Sequence, residues 1–200
     1  MEKKRSPRNK TVDFSLDSED GKKYGAMSLP AEELEPGRHV TDRIICGDSF
    51  EVMAHLPSNS VDLLIVDPPY NLTKEFHGSR FDARSAAEYR DFTERWLSLA
   101  IRLLKPDASV YVCCDWYSGM VIGPLLDENL VLRGRITWQR EKGRGAEKNW
   151  KNGMEDIWFA TFSDDYTFNL DDVKQRRRVI APYKVDGAPK DWIENEEGRF

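Results

Sequence analysis

The sequence predicts an α/β fold in which strands and helices alternate around a mainly parallel sheet. From residue 43 onwards, short apolar runs alternate with amphipathic stretches of helical period. The run VDLLIV at residues 61–66 has a single polar side chain, which is typical of a parallel strand covered on both faces and not of an edge strand. Two hundred residues with 40% apolar content can bury one substantial core. We therefore expect one domain, or most of one.

The first part of the chain changes character near residue 43. Residues 1–42 are polar, charged and without periodicity, which predicts a flexible N-terminal arm. RIICGD, residues 43–48, predicts a short strand, and residues 49–56 predict a helix with Ser49 as a candidate N-cap. The strand at 61–66 ends at Pro68 and Pro69, because proline cannot donate to a sheet ladder.

The second part continues the alternation of strands and helices. A loop at residues 71–85 leads into an amphipathic helix that Lys105 and Pro106 end. The remaining pattern predicts a buried strand at 109–115, a helix at 118–129, and strands at 130–140 and 155–163.

Composition excludes several classes of protein. No apolar stretch approaches the roughly 18 residues of a membrane span, and no signal peptide is seen, so we expect a cytoplasmic protein with no membrane partner. Three cysteines without a C-x-x-C spacing indicate neither a disulfide framework nor a metal site. The net charge of −5 argues against binding nucleic acid over the whole surface, but a net value does not describe local basic patches.

A chemically unusual turn follows the most apolar strand. Asp67, Pro68, Pro69 and Tyr70 place an acid and an aromatic on a stiff turn at the carboxyl end of that strand. Open α/β sheets bind their ligands at this end. The tetrad is therefore the candidate site.

These residues resemble a known family. GDSFEVMAHLPSNSVDLLIVDPPYNL, residues 47–72, resembles the β subgroup of the amino-DNA methyltransferases, which transfer a methyl group from S-adenosylmethionine to an exocyclic base nitrogen. EDIWFATFSDDYTFNLD resembles a later strand of that subgroup and the approach to its target-recognition region. The resemblance implies a Rossmann-like S-adenosylmethionine-dependent methyltransferase fold. It also implies a catalytic core at 43–170 and the start of the target-recognition region at 171–200.

The resemblance assigns roles to the residues of the turn. The Asp67 carboxylate and the Pro68 carbonyl would accept hydrogen bonds from the target amine, an interaction that strengthens as positive charge develops on nitrogen. Pro69 would stiffen the turn, and Tyr70 would stack on the extruded base. Asp48 would contact the adenine of the cofactor, with Asp67 at the rim of the same pocket. The alternative for Asp48 is a cap on the helix after it, and both roles can hold together.

The cofactor loop of that family, Phe-x-Gly-x-Gly after a strand, is not found in the sequence. The Gly-x-Gly at residues 143–145 has no apolar strand before it and no helical pattern after it. We therefore expect this chain to lack the central strand and the glycine loop. Without that strand the ladder groups of 61–66 would stay unpaired, so either the chain is a truncation or a second polypeptide or self-association completes the fold.

Two basic segments suit contact with the phosphates of double-stranded DNA, although they could also be solvated surface loops. They are residues 139–153, between two predicted strands, and residues 173–184. Lys74 and Arg80 in the loop at 71–85 flank the candidate site. The basic residues of the two segments that we expect to contact DNA are Arg140, Lys142, Arg144, Lys148, Lys151, Arg176, Arg177 and Arg178.

The resemblance thus implies a site-specific DNA methyltransferase, or its catalytic half, that acts on adenine N6. Aspartate in the first position of the tetrad favours adenine in this family, and cytosine N4 remains an alternative. A second alternative is a non-catalytic DNA-binding or assembly subunit of a modification complex.

Overall fold

The computed structural model describes residues 19–76, 79–146, 148–173, 184–186, 188–189, 194–195 and 198–199. The chain forms two compact units, and the boundary between them lies between Tyr166 and Thr167. The helices of the first unit are α1 (Glu19–Gly25), α2 (Ser49–His55), α3 (Ala86–Leu103) and α4 (Trp116–Asn129). Its strands are β1 (Ser28–Pro30), β2 (Ile44–Cys46), β3 (Val61–Val66), β4 (Lys74–Phe76), β5 (Ser79–Phe81), β6 (Leu104–Cys114), β7 (Val131–Ala146) and β8 (Asn149–Thr161).

The main sheet has the strand order β3-β6-β8-β7. β3 pairs with β6 in parallel, whereas β8 is antiparallel to both β6 and β7. The predicted α/β class is confirmed, but the prediction of a mainly parallel sheet is wrong for the residues that the structure describes. The reason is that β7 and β8 form a hairpin, and a short connection can join only antiparallel strands.

Helices cover one face of this sheet. Val110, Val112 and Cys114 alternate along β6, and each is fully buried in a core that α3 and α4 complete. On the opposite face, Leu63 and Ile65 of β3 are 53% and 67% exposed. The prediction that β3 is covered on both faces and is not an edge strand is therefore wrong within the described residues, where β6 is its one neighbour.

Helix α4 packs closely on β8 at two glycines. The indole of Trp158 lies against α4, and a Cβ added to Gly123 would lie 2.7 Å from its Cζ2 atom. A Cβ on Gly119 would lie 3.2 Å from the sulfur of Cys114. The absence of side chains at these two positions lets the helix approach the sheet.

Residues 19–33, within the predicted flexible arm, contain regular structure. Helix α1 is followed by β1, which pairs in parallel with β2, and by a 3₁₀ turn at Ala31–Glu33. That turn lies so close to Gly47 that a Cβ there would be 2.3 Å from the Cβ of Ala31. Residues 1–18 lie outside the described residues, and the proposed boundary at residue 42 remains a prediction.

Side chains satisfy backbone groups at both ends of α2. Asp48, and not the predicted Ser49, is the N-cap of α2, and its carboxylate accepts from the amide of Phe50 at 2.8 Å. Arg102 of α3 donates to the carbonyls of Met53 and Leu56 near the end of α2. This side chain satisfies carbonyls that the helix itself leaves without partners.

The described part of the second unit contains one short helix and two small antiparallel pairs of strands. They are α5 (Leu170–Val173), β9 (Lys184–Val185) with β10 (Ala188–Pro189), and β11 (Glu194–Asn195) with β12 (Gly198–Arg199). Within the described ranges of the whole chain, no helix combines the length and apolar character needed to cross a membrane.

Candidate active site

The tetrad at residues 67–70 leaves the carboxyl end of β3 at the edge of the main sheet. Asp67 and Pro69 are exposed, Pro68 is buried and Tyr70 is half-buried. Val66 pairs with Val112, so Cys113 of β6 lies beside the point where the chain leaves the strand. Burial, then the nearby charges of Asp67 and Glu155, raise the pKa of Cys113. Cys113 faces away from the buried Cys114, so its interaction with Asp67 indicates that Asp67 lies toward the face on which Leu63 and Ile65 are exposed.

Hydrogen bonds hold the far end of this turn. The hydroxyl of Tyr89 in α3 donates to the carbonyl of Pro69 at 3.0 Å, and the amide of Asn71 donates to Ser118 Oγ in α4 at 2.9 Å. The Asn71 side chain donates to the Arg84 carbonyl and accepts from the Arg84 amide at 2.8 and 2.7 Å. Among the described residues, no hydrogen-bond donor reaches the Pro68 carbonyl. The far end of the turn is thus anchored to α3 and α4, while the Pro68 carbonyl has no partner within this part of the structure.

Tyr70 is kept as a neutral phenol. Its burial, followed by the negative charges of Asp67 and Glu155, raises its pKa well above the ordinary value. The ring therefore presents an uncharged aromatic surface beside the Asp67 carboxylate throughout the physiological pH range.

An ion pair of the β7–β8 hairpin lies at the same end of the strands as the tetrad. Arg140 of β7 contacts Glu155 of β8, whose side chain is 23% exposed. Glu155 is close enough to Tyr70 to affect its pKa. The sequence predicted Arg140 as a DNA contact but gave no indication of Glu155, because only the register of β8 brings that residue to the turn.

Asp48 has the capping role that the sequence allowed. One of its carboxylate oxygens accepts from Phe50, and the side chain is exposed. β2 pairs with β1 in a separate two-stranded sheet, so strand pairing does not join Asp48 to Asp67. The predicted contact of Asp48 with a cofactor remains a prediction.

The loop predicted at residues 71–85 contains a small hairpin. β4 and β5 pair antiparallel, and they carry Lys74 and Arg80, both exposed. Arg80 forms an ion pair with Asp82 at 2.7 Å. The charge of Arg80 is therefore partly compensated within the chain.

The basic segment at 139–153 was predicted as a loop, but it is the far end of the β7–β8 hairpin. Arg144 pairs in register with Asn152, and two register shifts interrupt the ladder between Gln139 and Ala146. Lys148 lies exposed in the turn, and Trp150 beside it is 92% exposed. Extended strands thus carry basic residues away from the helix-covered core. The side chains of Lys142, Arg144 and Lys151, and the whole of Arg176, Arg177 and Arg178, lie outside the described residues.

Comparison with known proteins identifies the family. The model of a family described as DNA methylase matches residues 61–187, more than half of the chain. The chain belongs to this DNA methylase family. Membership confirms the predicted methyltransferase fold class, and the matched segment begins at β3 and contains the whole tetrad.

Curated relatives and solved structures are similar over part of their length. The Type II methyltransferase M.HpaI of Haemophilus parainfluenzae is 32% identical over 135 residues, which cover 66% of this chain and 43% of that protein. The Type II methyltransferase M1.MboII of Moraxella bovis is 29% identical, over 76% of this chain and 60% of that protein. The chain spans about half the length of these relatives.

One solved structure is that of the PvuII DNA methyltransferase, described as cytosine-N4-specific. It matches with a TM-score of 0.49 and 19% identity, over 64% of this chain and 51% of that chain.

Proposed function

We propose that this DNA methylase, as the catalytic part of a restriction-modification methyltransferase, methylates the N6 amine of an adenine extruded from double-stranded DNA. Its family membership supports the reaction class, and its relatives are named as Type II methyltransferases. The observation that carries the proposal is the presence of two adjacent acceptors at one turn, which directly follows β3. Asp67 presents a carboxylate and Pro68 a carbonyl, while the next carbonyl, that of Pro69, already accepts from Tyr89.

These acceptors suit a weak amine nucleophile. The lone pair of an exocyclic base nitrogen is delocalised into the ring, and acceptors for both N–H groups favour the tetrahedral geometry in which it is free. We propose that Asp67 accepts from one N–H and the Pro68 carbonyl from the other. The hydrogen bond to the charged acceptor strengthens more than the other as positive charge develops on nitrogen. The neutral ring of Tyr70 provides a stacking surface for the base.

S-adenosylmethionine supplies the methyl group in the proposed reaction. Carboxylates among the described residues fit this cofactor, because they can accept hydrogen bonds from its hydroxyl and ammonium groups. Asp48 is exposed, and only one of its oxygens is engaged by the helix it caps. We propose that Asp48 and Asp67 hold the adenosine and methionine parts of this cofactor.

The choice of adenine is the finer part of the proposal, and product analysis tests it directly. The chain is incubated with DNA and tritiated S-adenosylmethionine, with and without the product of any neighbouring reading frame, and the DNA is digested to nucleosides. We expect label in N6-methyl-2′-deoxyadenosine. Label in N4-methyl-2′-deoxycytidine would overturn the choice of base, and no labelled DNA under either condition would overturn the enzymatic function.

We propose that the β7–β8 hairpin contacts DNA phosphates. Lys148 is exposed in its turn, and within the described residues it forms no ion pair, whereas Arg140 is paired with Glu155. Replacing Lys148 by alanine should weaken binding to all sequences alike and lower the slope of log affinity against log salt by about one unit.

Arg140→Ala serves as the matched comparison, with DNA binding measured by fluorescence anisotropy over a range of salt. Because Glu155 already compensates its charge, the slope should change less than in the Lys148 variant. An unchanged slope for Lys148→Ala would contradict phosphate contact at the hairpin.

We further propose that a second polypeptide, or a second copy of this chain, covers the exposed face of β3. Leu63 and Ile65 together present an apolar surface beside a strand edge that no described strand pairs. Ile65→Lys should weaken this association at least about tenfold and leave the melting temperature of the isolated chain unchanged, because the side chain is already in water.

Ile44→Lys is the control, since Ile44 is 73% exposed on a different sheet. Sedimentation measures the association, and calorimetric titration measures S-adenosylmethionine binding in the same preparations. We expect weak cofactor binding by the isolated chain, because cofactor sites bury most of their ligand and both Asp48 and Asp67 are exposed. Tight binding by a stable monomer would contradict the need for a covering chain.

A further inference from the structure

A buried polar cluster lies directly behind the candidate active-site turn. We call it the turn clamp, and it consists of Asn71, Tyr89 and Ser118 with the backbone of Arg84. Asn71 is 4% exposed, Tyr89 0% and Ser118 1%. Burying three polar side chains is unfavourable unless each is hydrogen-bonded, and in the clamp their partners are the backbone of the turn, its neighbours and one another.

The clamp supplies anchors that the two prolines of the turn cannot supply through their own amides, in addition to the local bond from the Leu72 amide to the Tyr70 carbonyl at 2.6 Å. Pro68 and Pro69 have no amide hydrogens, so neither residue can donate a backbone hydrogen bond. On one side of the turn, β3 is held to β6 through the pairing of Val66 with Val112. On the other side, the anchors are the carbonyl of Pro69 and the amide of Asn71, which the clamp binds at 3.0 and 2.9 Å.

Two of the clamp residues lie on helices, and the start of each helix is fixed by its own cap. Tyr89 lies in the first turn of α3, which begins with a capping box between Ser85 and Glu88. Ser118 lies in the first turn of α4, where the Asp115 carboxylate accepts from the Ser118 amide at 2.8 Å. The start of each helix, and with it the position of Tyr89 or Ser118, is therefore set independently of the turn.

We infer that Tyr89, Asn71 and Ser118 are positioning residues for methyl transfer, holding the Pro68 carbonyl and the Asp67 carboxylate at a fixed separation. The inference rests on the proposed function for its chemical consequence. All three side chains are buried, and we assign them no direct contact with the target base. They act through the backbone of residues 69 and 71, on which the direction of the Pro68 carbonyl depends.

The expected consequence is a loss of turnover and not of DNA affinity. A displacement of a reacting group by about 1 Å costs on the order of 10²-fold in rate. Removing one hydroxyl of the clamp leaves other anchors in place, so we expect a fall in kcat of about tenfold for Tyr89→Phe and for Ser118→Ala. KM for DNA should stay within about twofold, because phosphate contacts dominate affinity.

Two measurements on the full chain test the inference. Amide hydrogen exchange by NMR reports the clamp itself, and Ser118→Ala should accelerate exchange of the Asn71 amide about tenfold by removing its acceptor. Kinetics of tritiated methyl transfer report the positioning role. Thr93→Val is the matched control, since Thr93 is 1% exposed in α3 and its hydroxyl donates to the carbonyl of Tyr89 within the helix.

Faster exchange at residues 70–72 together with reduced kcat in both clamp variants, but not in Thr93→Val, would support the inference. Unchanged exchange in both clamp variants would overturn the claim that the clamp holds the turn. Faster exchange with unchanged kcat would overturn its positioning role. Absence of methyl transfer by the wild-type chain in any assembly would overturn the proposed function and the positioning role with it. The exchange measurement still decides whether the clamp holds the turn.

Discussion

Replacing Asp67 by alanine is expected to lower the rate of methyl transfer by roughly 10² to 10³-fold while fold and DNA affinity are retained. Asp67 is exposed and outside the hydrophobic core, so its removal leaves packing intact. Its carboxylate acts on the amine most strongly as charge develops, and an interaction of that kind affects kcat more than binding. The closest comparison is the loss of one donor from an oxyanion hole.

Single-turnover methyl transfer measures this effect. Asp62→Ala is the matched control, because Asp62 is an exposed acid on the same strand whose carboxylate pairs with Lys105 at 2.6 Å. The control should transfer methyl groups at close to the wild-type rate. Turnover by Asp67→Ala within about threefold of wild type would rule out its role as the amine acceptor.

Gly123→Ala is expected to destabilise the chain by about 1–3 kcal/mol, although the substitution normally favours a helix. The added methyl group would lie 2.7 Å from Cζ2 and 3.0 Å from Cε2 of Trp158. These atoms belong to a rigid ring packed against the core, so either α4 or the indole must move. Since α4 also carries Ser118, such a movement would reach the turn through Asn71.

Denaturant unfolding measures the loss of stability. Gly134→Ala is the control, because a Cβ there has no atom within 4 Å, and it should change stability by less than about 0.5 kcal/mol. Combining Gly123→Ala with Trp158→Leu should cost less than the sum of the two single changes, because the smaller side chain removes the clash. Additive effects would show that the contact with Trp158 is not the cause.

Features that depend on local chemistry could be predicted from the sequence. The alternation of strands and helices follows from the spacing of apolar residues, and the end of β3 follows from two prolines that cannot donate. The acceptors of the candidate site were predicted for the same reason, since Asp67 and Pro68 directly follow the strand that presents them. The family resemblance rested on these same residues, and it is confirmed at the level of DNA methylases.

Features that depend on distant partners were decided by the tertiary structure. The apolar pattern of β3 could not show that Leu63 and Ile65 are exposed, because the pattern records that a side chain is apolar and not whether another element covers it. Nor could it show that Glu155 reaches the turn or that Ser118 binds Asn71 from 47 positions away. Hydrogen bonds and ion pairs of this kind depend on the order and register of strands, which no short segment specifies. The sequence thus determined what the turn offers chemically, while only the packing of α3, α4 and β8 against it decided how it is held and which face stays open.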